Sequence, residues 1–310
     1  MIELAKRFRP GAHWLPRLTS PDGAHTLGDR NHEPASRRPG SDGGAIALEL
    51  SLVRLVAGVA LSTAIALGAR RVGALSGRGS VAAIAVGIVA FATGWSWASL
   101  LLLYFVSSIA LTRYRASTKA AVTGAVVAKG GARDATQVLA NGGVFALGAV
   151  LWLSTGWHGW RAAAAGALAA AASDTWATEI GTLARRAPRS LVTWRPVPTG
   201  TSGGVSLPGF AAAIAGAAFV GLAVLALGWP RSAAMAALVG GVAGSTIDSL
   251  LGATLQQRRW CDRCNVATER TTHGCGATTR IVGGIAWLDN DTVNALSTVA
   301  GGLLGLVVAR

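Results

Sequence analysis

Asp174, Asp248 and Asp291 each stand beside a hydroxyl residue, in Ser173-Asp174-Thr175, Ile247-Asp248-Ser249 and Asn290-Asp291-Thr292, and each falls near the end of a long apolar run. A carboxylate costs roughly 2.5–3.5 kcal/mol at the centre of a membrane helix and less near its end, so one kept there usually faces a pathway, a partner or a site. The plain alternative is a set of solvated acids at the membrane surface, and Glu179, nearer the loop, fits it better than the others. Asp291 suits a helix N-cap. Asp174 and Asp248 fall towards helix C-termini, where the dipole disfavours an anion and a cation would compensate. Mg2+, which takes one or two carboxylates and substrate phosphates, is the expected partner of Asp174 and Asp248.

Phosphate-binding chemistry has its own candidates. Arg195 to Ser206 reads Arg-Pro-Val-Pro-Thr-Gly-Thr-Ser-Gly-Gly-Val-Ser. Gly200, Gly203 and Gly204 free the backbone to aim amides at one point, and Thr199, Thr201 and Ser202 add hydroxyls. Arg195 adds a fixed charge, and the apolar run that follows would offer helix N-terminal amides. A turn ahead of a helix would look the same. No Gly-Lys-Ser or Gly-Lys-Thr follows the glycines, so there is no Walker A loop. Lys129 and Arg133 supply separate cations, and Gln137, Asn141, Asn290 and Asn294 complete a polar shell. Together with Asp174, Asp248, Asp291 and Arg195 as reacting groups, these are the parts needed for phosphoryl transfer.

Such residues must be held by something, and the composition says what. With 51% hydrophobic residues, 14% charged and a mean hydropathy of +0.46, the chain reads as an integral membrane protein. The expected fold is all-α, a polytopic transmembrane helical bundle of about eight spans at 45–69, 79–93, 95–112, 135–156, 160–181, 204–228, 232–255 and 291–309. The short second span leaves seven as an alternative. Residues 1–44, polar and without periodicity, read as a disordered tail or as sequence ahead of the true start. Residues 45–310 form one membrane domain with a Cys/His loop at 256–290.

The formal charge of +14 would suggest nucleic acid in a soluble protein, but here the arginines sit in short loops between spans. Seventeen Lys and Arg follow the odd-numbered spans against three after the even-numbered ones and at the C-terminus, so the odd loops are expected in the cytoplasm. Every polar candidate above then falls at a cytoplasmic helix end, in a bacterial-type cell membrane. Two stripes aim the acids inward. Gly240, Gly244, Asp248 and Gly252 recur every four residues, as do Gly166, Ala170, Asp174 and Thr178, so each acid shares a helix face with small residues that pack closely.

All three cysteines lie in one loop as Cys261-x2-Cys264-x8-His273-x-Cys275, a spacing compatible with a three-Cys, one-His zinc site. Reduced thiols without metal and redox chemistry are the other readings.

Five ordered motifs carry a resemblance: Gln137-Val-Leu-Ala-Asn-Gly-Gly143, Ser173-Asp-Thr-Trp-Ala-Thr-Glu-Ile-Gly181, Pro198-Thr-Gly-Thr-Ser-Gly-Gly-Val-Ser206, Ser245-Thr-Ile-Asp-Ser-Leu-Leu-Gly252 and Asp289-Asn-Asp-Thr-Val-Asn294. From about residue 48 to its end the chain resembles the integral-membrane family typified by transmembrane protein nineteen, a domain-of-unknown-function family that includes plant phytyl-phosphate kinases. The resemblance implies a prenyl-phosphate kinase, passing a phosphoryl group from CTP or another nucleoside triphosphate to an isoprenoid or other lipid monophosphate. A transporter or flippase for a phosphorylated lipid or small anion would use the same cations and intramembrane acids without chemistry, but would extend polar groups to the outer leaflet as well.

Overall fold

A computed structural model describes residues 42–124, 126 and 131–310, with backbone alone for 42–51. Lys129 and most of the expected tail lie outside the described residues. Eight long helices follow the eight apolar runs: α1 Asp42–Arg71, α2 Gly77–Thr93, α3 Trp95–Arg113, α5 Ala135–Thr155, α6 Gly159–Gly181, α7 Leu207–Ala226, α8 Arg231–Thr254 and α9 Asn290–Val308. A short helix, α4 (Ala116–Thr123), occupies the loop after α3.

Six of the long helices are long and apolar enough to span a membrane, and α2 is a shorter apolar helix. Helix α6 has the length but is built on alanine and closes with polar residues. It makes up for this by position: it packs against α3, α5, α7, α8 and α9, and Ala162 to Ser173 is buried without interruption. A helix hidden on every side needs small residues more than greasy ones.

Local signals explain the boundaries. Ser76 caps α2 through the Gly79 amide at 3.0 Å, and Ser206 caps α7 through Gly209 at 3.2 Å. Asp134 starts α5 in a reciprocal capping box with Gln137, and Gly156 ends that helix at φ 66°.

The loops are more ordered than a helical bundle requires. Arg189–Ser190 (β1) pairs antiparallel with Gly204–Val205 (β2). After α8, strands Arg258–Cys261 (β3), Val266–Thr268 (β4) and Arg280–Gly283 (β5) form a small sheet in the order β4-β3-β5. The expected sixth span therefore begins at Leu207 instead of 204, because Gly204 and Val205 belong to the β1–β2 pairing.

Candidate functional site

Helices α6, α8 and α9 meet backbone to backbone. A Cβ built on Gly240 would stand 3.0 Å from the Gly166 Cα, and one on Gly301 would lie 2.7 Å from the Gly166 oxygen and 3.0 Å from the Gly240 oxygen. One turn along, Gly244 faces the Ser297 oxygen and Ala170. The next turn replaces small residues with Asp174 and Asp248, whose carboxyl groups come within hydrogen-bonding reach of each other, with Ser297 beside Asp248. The four-residue stripes thus do converge on an acidic pair. The Asp248 Oδ2 is buried and accepts no hydrogen bond among the described residues. A carboxylate oxygen withdrawn from water beside a second carboxyl group calls for a shared proton or a cation.

Asp291 joins from α9. Its expected capping role belongs to Asp289, whose Oδ1 accepts from the Thr292 amide at 2.9 Å. With the cap filled by its neighbour, Asp291 turns into the bundle, is 8% exposed, and accepts from the Thr136 hydroxyl at 2.9 Å. Asn294 and Ser297 continue the same buried face at three-residue spacing.

Arg133 is fixed by its backbone. Its amide donates to Ala74 at 3.0 Å and its carbonyl accepts from Ser76 at 2.9 Å, so the α3–α5 connection is tied to the α1–α2 turn. The carbonyl also approaches Gly79 so closely that no Cβ fits there. Arg133, Gln137 and Asn141 form one end of a cavity with about 780 Å3 of empty space, including where it opens outward. Apart from Ser62 of α1 and Tyr104 of α3 the rest of its wall is apolar, with Ile65 of α1, Val86 of α2, Leu101 and Phe105 of α3 and Val138 of α5. Tyr104, on the same wall, lies against Thr175 of α6 and within electrostatic reach of both Arg133 and Asp174. Neither acid lines the cavity; Tyr104 is the group of its wall that reaches towards both Arg133 and Asp174.

The glycine loop is built differently from an open cradle. Thr201 donates its amide to Pro198 and Gly204 donates to Thr201, which spends two amides on the loop's own turns. The amides of Gly200, Ser202 and Gly203 make no backbone hydrogen bond among the described residues. Gly200 and Gly203 have φ of 92° and 75°, the left-handed region that side chains avoid. Gly203 also sits against Ala253, leaving no room for a Cβ. The Ser202 hydroxyl is already engaged, donating to Glu269 and accepting from the Gln256 Nε2 at 2.9 Å. Arg195 is exposed and its guanidinium has no partner among the described residues, while Thr199 and Asn290 contribute no side-chain hydrogen bond. The Ser206 hydroxyl likewise closes the start of α7 itself. Glu179, for which a solvated surface position was one of two readings, is paired with Lys119 of α4 and accepts from Thr112 at 2.6 Å.

The cysteine loop brings Cys261, Cys264, His273 and Cys275 together, with one ligand atom of each lying within 4.8 Å of the others. The Cys275 thiol is drawn down to about 6 by the His273 ring and then by the Ala277 backbone.

Sequence reasoning passed over Tyr104, Thr136, Gln256, Glu269 and Ser297. Tyr104 hides in an apolar run, and Glu269 and Gln256 matter only because their loops fold back on the glycine loop. Ser297 was open to inference, standing three residues after Asn294 on the face that Asp291 begins.

Long apolar helices packed on a backbone-tight centre, with charged groups gathered at one end, define a polytopic integral membrane protein. Residues 60–302 match the family described as integral membrane protein DUF92, and the chain belongs to that family. Protein PGR of Arabidopsis thaliana is 30% identical over 270 residues, covering 79% of this chain and 92% of that protein. An uncharacterized membrane protein of Methanocaldococcus jannaschii is 27% identical over 262 residues, 83% of this chain and 95% of the relative. Another from Synechocystis is 27% identical over 234 residues, 71% and 76% of the two chains. No solved structure matches significantly.

Proposed function

We propose that the protein is a prenyl-phosphate kinase-like phosphotransferase, acting at the cytoplasmic face of a bacterial-type cell membrane. The observation that carries this reading is the largely apolar cavity lined at one end by Arg133, Gln137 and Asn141, with Tyr104 of its wall within electrostatic reach of Asp174. An isoprenoid chain lies among α1, α2, α3 and α5, and its monophosphate meets the Arg133 guanidinium, a fixed cation suited to phosphate oxygens.

In the reaction an oxygen of the lipid monophosphate attacks the γ-phosphorus of a nucleoside triphosphate, CTP or another. The bond to the β-phosphate oxygen breaks, leaving lipid diphosphate and nucleoside diphosphate. The nucleophile is already anionic, so the protein's work is positioning and charge neutralisation, with no general base required. Asp174 and Asp248 would hold Mg2+, for which the unpartnered Asp248 oxygen is suited, and the metal would supply charge stabilisation on the phosphates. The amides of Gly200, Ser202 and Gly203 face the donor phosphates. Asp291 ties α9 to α5 through Thr136, and Asn141 and Asn294 complete the polar shell. The excess of basic residues in the loops at this end supports its cytoplasmic placement.

Transport of a phosphorylated lipid is disfavoured by the opposite end of the bundle, where Trp97, Trp152 and Trp229 cluster and the Trp152 and Trp229 rings cover the Arg161 guanidinium. The test is incubation of purified protein with phytyl, geranylgeranyl or farnesyl monophosphate and each nucleoside triphosphate in Mg2+. Diphosphate product is expected. No product across that panel, with substrate movement in liposomes, would overturn the kinase reading in favour of a carrier.

A further inference from the structure

The strand β3 ends at Cys261, and the chain turns tightly so that the Asn265 amide donates back to the Cys261 carbonyl at 2.8 Å, with Asn265 at φ 57°. That turn presents Cys261 and Cys264. A second turn closes with Gly276 donating to the His273 carbonyl at 2.9 Å and Gly276 at φ 81°, presenting His273 and Cys275. Two tight turns from separate stretches of the loop each aim two soft ligands at one point.

Two of the six ligand distances match a tetrahedron, and the remaining ones lie within 4.8 Å. Zinc–sulfur bonds of about 2.3 Å at tetrahedral angles put two sulfurs about 3.8 Å apart, and a zinc–nitrogen bond of about 2.05 Å puts nitrogen and sulfur about 3.5 Å apart. Here the Sγ atoms of Cys261 and Cys275 are 3.7 Å apart and the His273 Nδ1 lies 3.4 Å from the Cys275 Sγ. All three thiols are free. Three thiolates and a neutral imidazole around a divalent ion carry one net negative charge, and the surroundings suit that sign: Arg263 donates to the Cys275 carbonyl at 3.1 Å, and Arg258, Arg259 and Arg280 lie on the adjoining strands.

What the cluster holds in place is equally specific. The segment between its two turns carries Glu269, which accepts from the Ser202 hydroxyl and whose amide donates to Val126 at 2.9 Å. Gln256, just before β3, donates to the same hydroxyl. A loop with so little hydrophobic core needs another source of rigidity, and metal ligation is the usual one.

We propose that Cys261, Cys264, His273 and Cys275 bind one structural zinc ion, which fixes the β3–β5 module and through Glu269 and Gln256 sets the position of the glycine loop. The proposal does not depend on the kinase reading, because its test needs no substrate. Protein purified under reducing conditions without added chelator is expected to contain about one zinc per chain by plasma mass spectrometry, and Cys264→Ser or His273→Ala well under half of that. Cobalt exchanged into the wild-type protein should show the intense visible bands of tetrahedral thiolate coordination, a readout independent of whether the variants fold. Zinc removal should speed hydrogen exchange in 256–285 and in 198–204, and leave α6 and α8 unchanged. Zinc absent from the wild-type protein, a Cys261–Cys275 disulfide in its place, or octahedral cobalt spectra would each overturn the site. Unchanged exchange in 198–204 after zinc loss would overturn the link to the glycine loop.

Discussion

At one end of the bundle Trp97 packs at 4.5 Å on Trp229, and the Arg161 guanidinium lies 4.6 Å over Trp152 and 5.7 Å from Trp229. At the other end Asp174 and Asp248 face each other across a glycine crossing, with Arg133 and a half-open cavity nearby. Both ends bury part of a charged group that lacks a hydrogen bond, the Arg161 Nε and the Asp248 Oδ2. The difference lies in what surrounds each. Arg161 is answered by aromatic faces, whose quadrupoles stabilise a cation without water. Asp248 is answered by another acid. Arg161 is thus completed by the protein's own rings, whereas the Asp248 Oδ2 has no hydrogen-bond partner among the described residues.

Breaking the two ends separately should give opposite phenotypes. Asp248→Asn should lower phosphoryl transfer about a thousandfold, on the scale of removing a principal electrostatic group, with the amount of folded protein in membranes unchanged. A full rate in that variant would remove the acidic pair from the reaction. Trp97→Ala, at a residue 1% exposed, should cost about 3–5 kcal/mol in thermal unfolding of the solubilised protein, with kcat per folded molecule preserved. Arg133→Ala should raise the KM for the lipid monophosphate ~10–100-fold, since a hydrogen bond to a charged group contributes about 1.5–3 kcal/mol, while its backbone ties hold the loop. Arg161→Met should destabilise by roughly 1–2 kcal/mol and leave transfer kinetics alone. Arg195→Ala should change activity less than about threefold, as expected of an exposed cation. A large loss there would mean the glycine loop closes over the donor and carries Arg195 inward.

The helical framework was open to reading because apolar runs, capping residues and the four-residue glycine stripes are local signals, and Asp174 and Asp248 inherit their direction from the stripes. The glycine loop was legible only in part. Its composition speaks of turns and free amides, but that Ser202 is held by Glu269 and Gln256 depends on a contact across more than fifty residues of chain. Asp291 was misjudged for a related reason: two acids stand two residues apart at the start of α9, on either side of Asn290, and only the φ of Asp289, at −83° with extended ψ, decides which one caps. The β1–β2 pairing escaped notice because strands of two residues have no periodicity to detect. Tyr104 could not have been selected, since one tyrosine in an apolar helix looks like packing until Thr175 and Asp174 are placed beside it.

The crossing of Gly166, Gly240 and Gly301 has a further consequence. A contact made from main chain has no rotamers to choose among, so the gap between the two acids is gauged by peptide geometry and not by side-chain packing. The calibration of the site is thereby written into residues two turns away from it, and a mutational scan confined to the surroundings of Asp174 and Asp248 would pass over the three positions that set its dimensions.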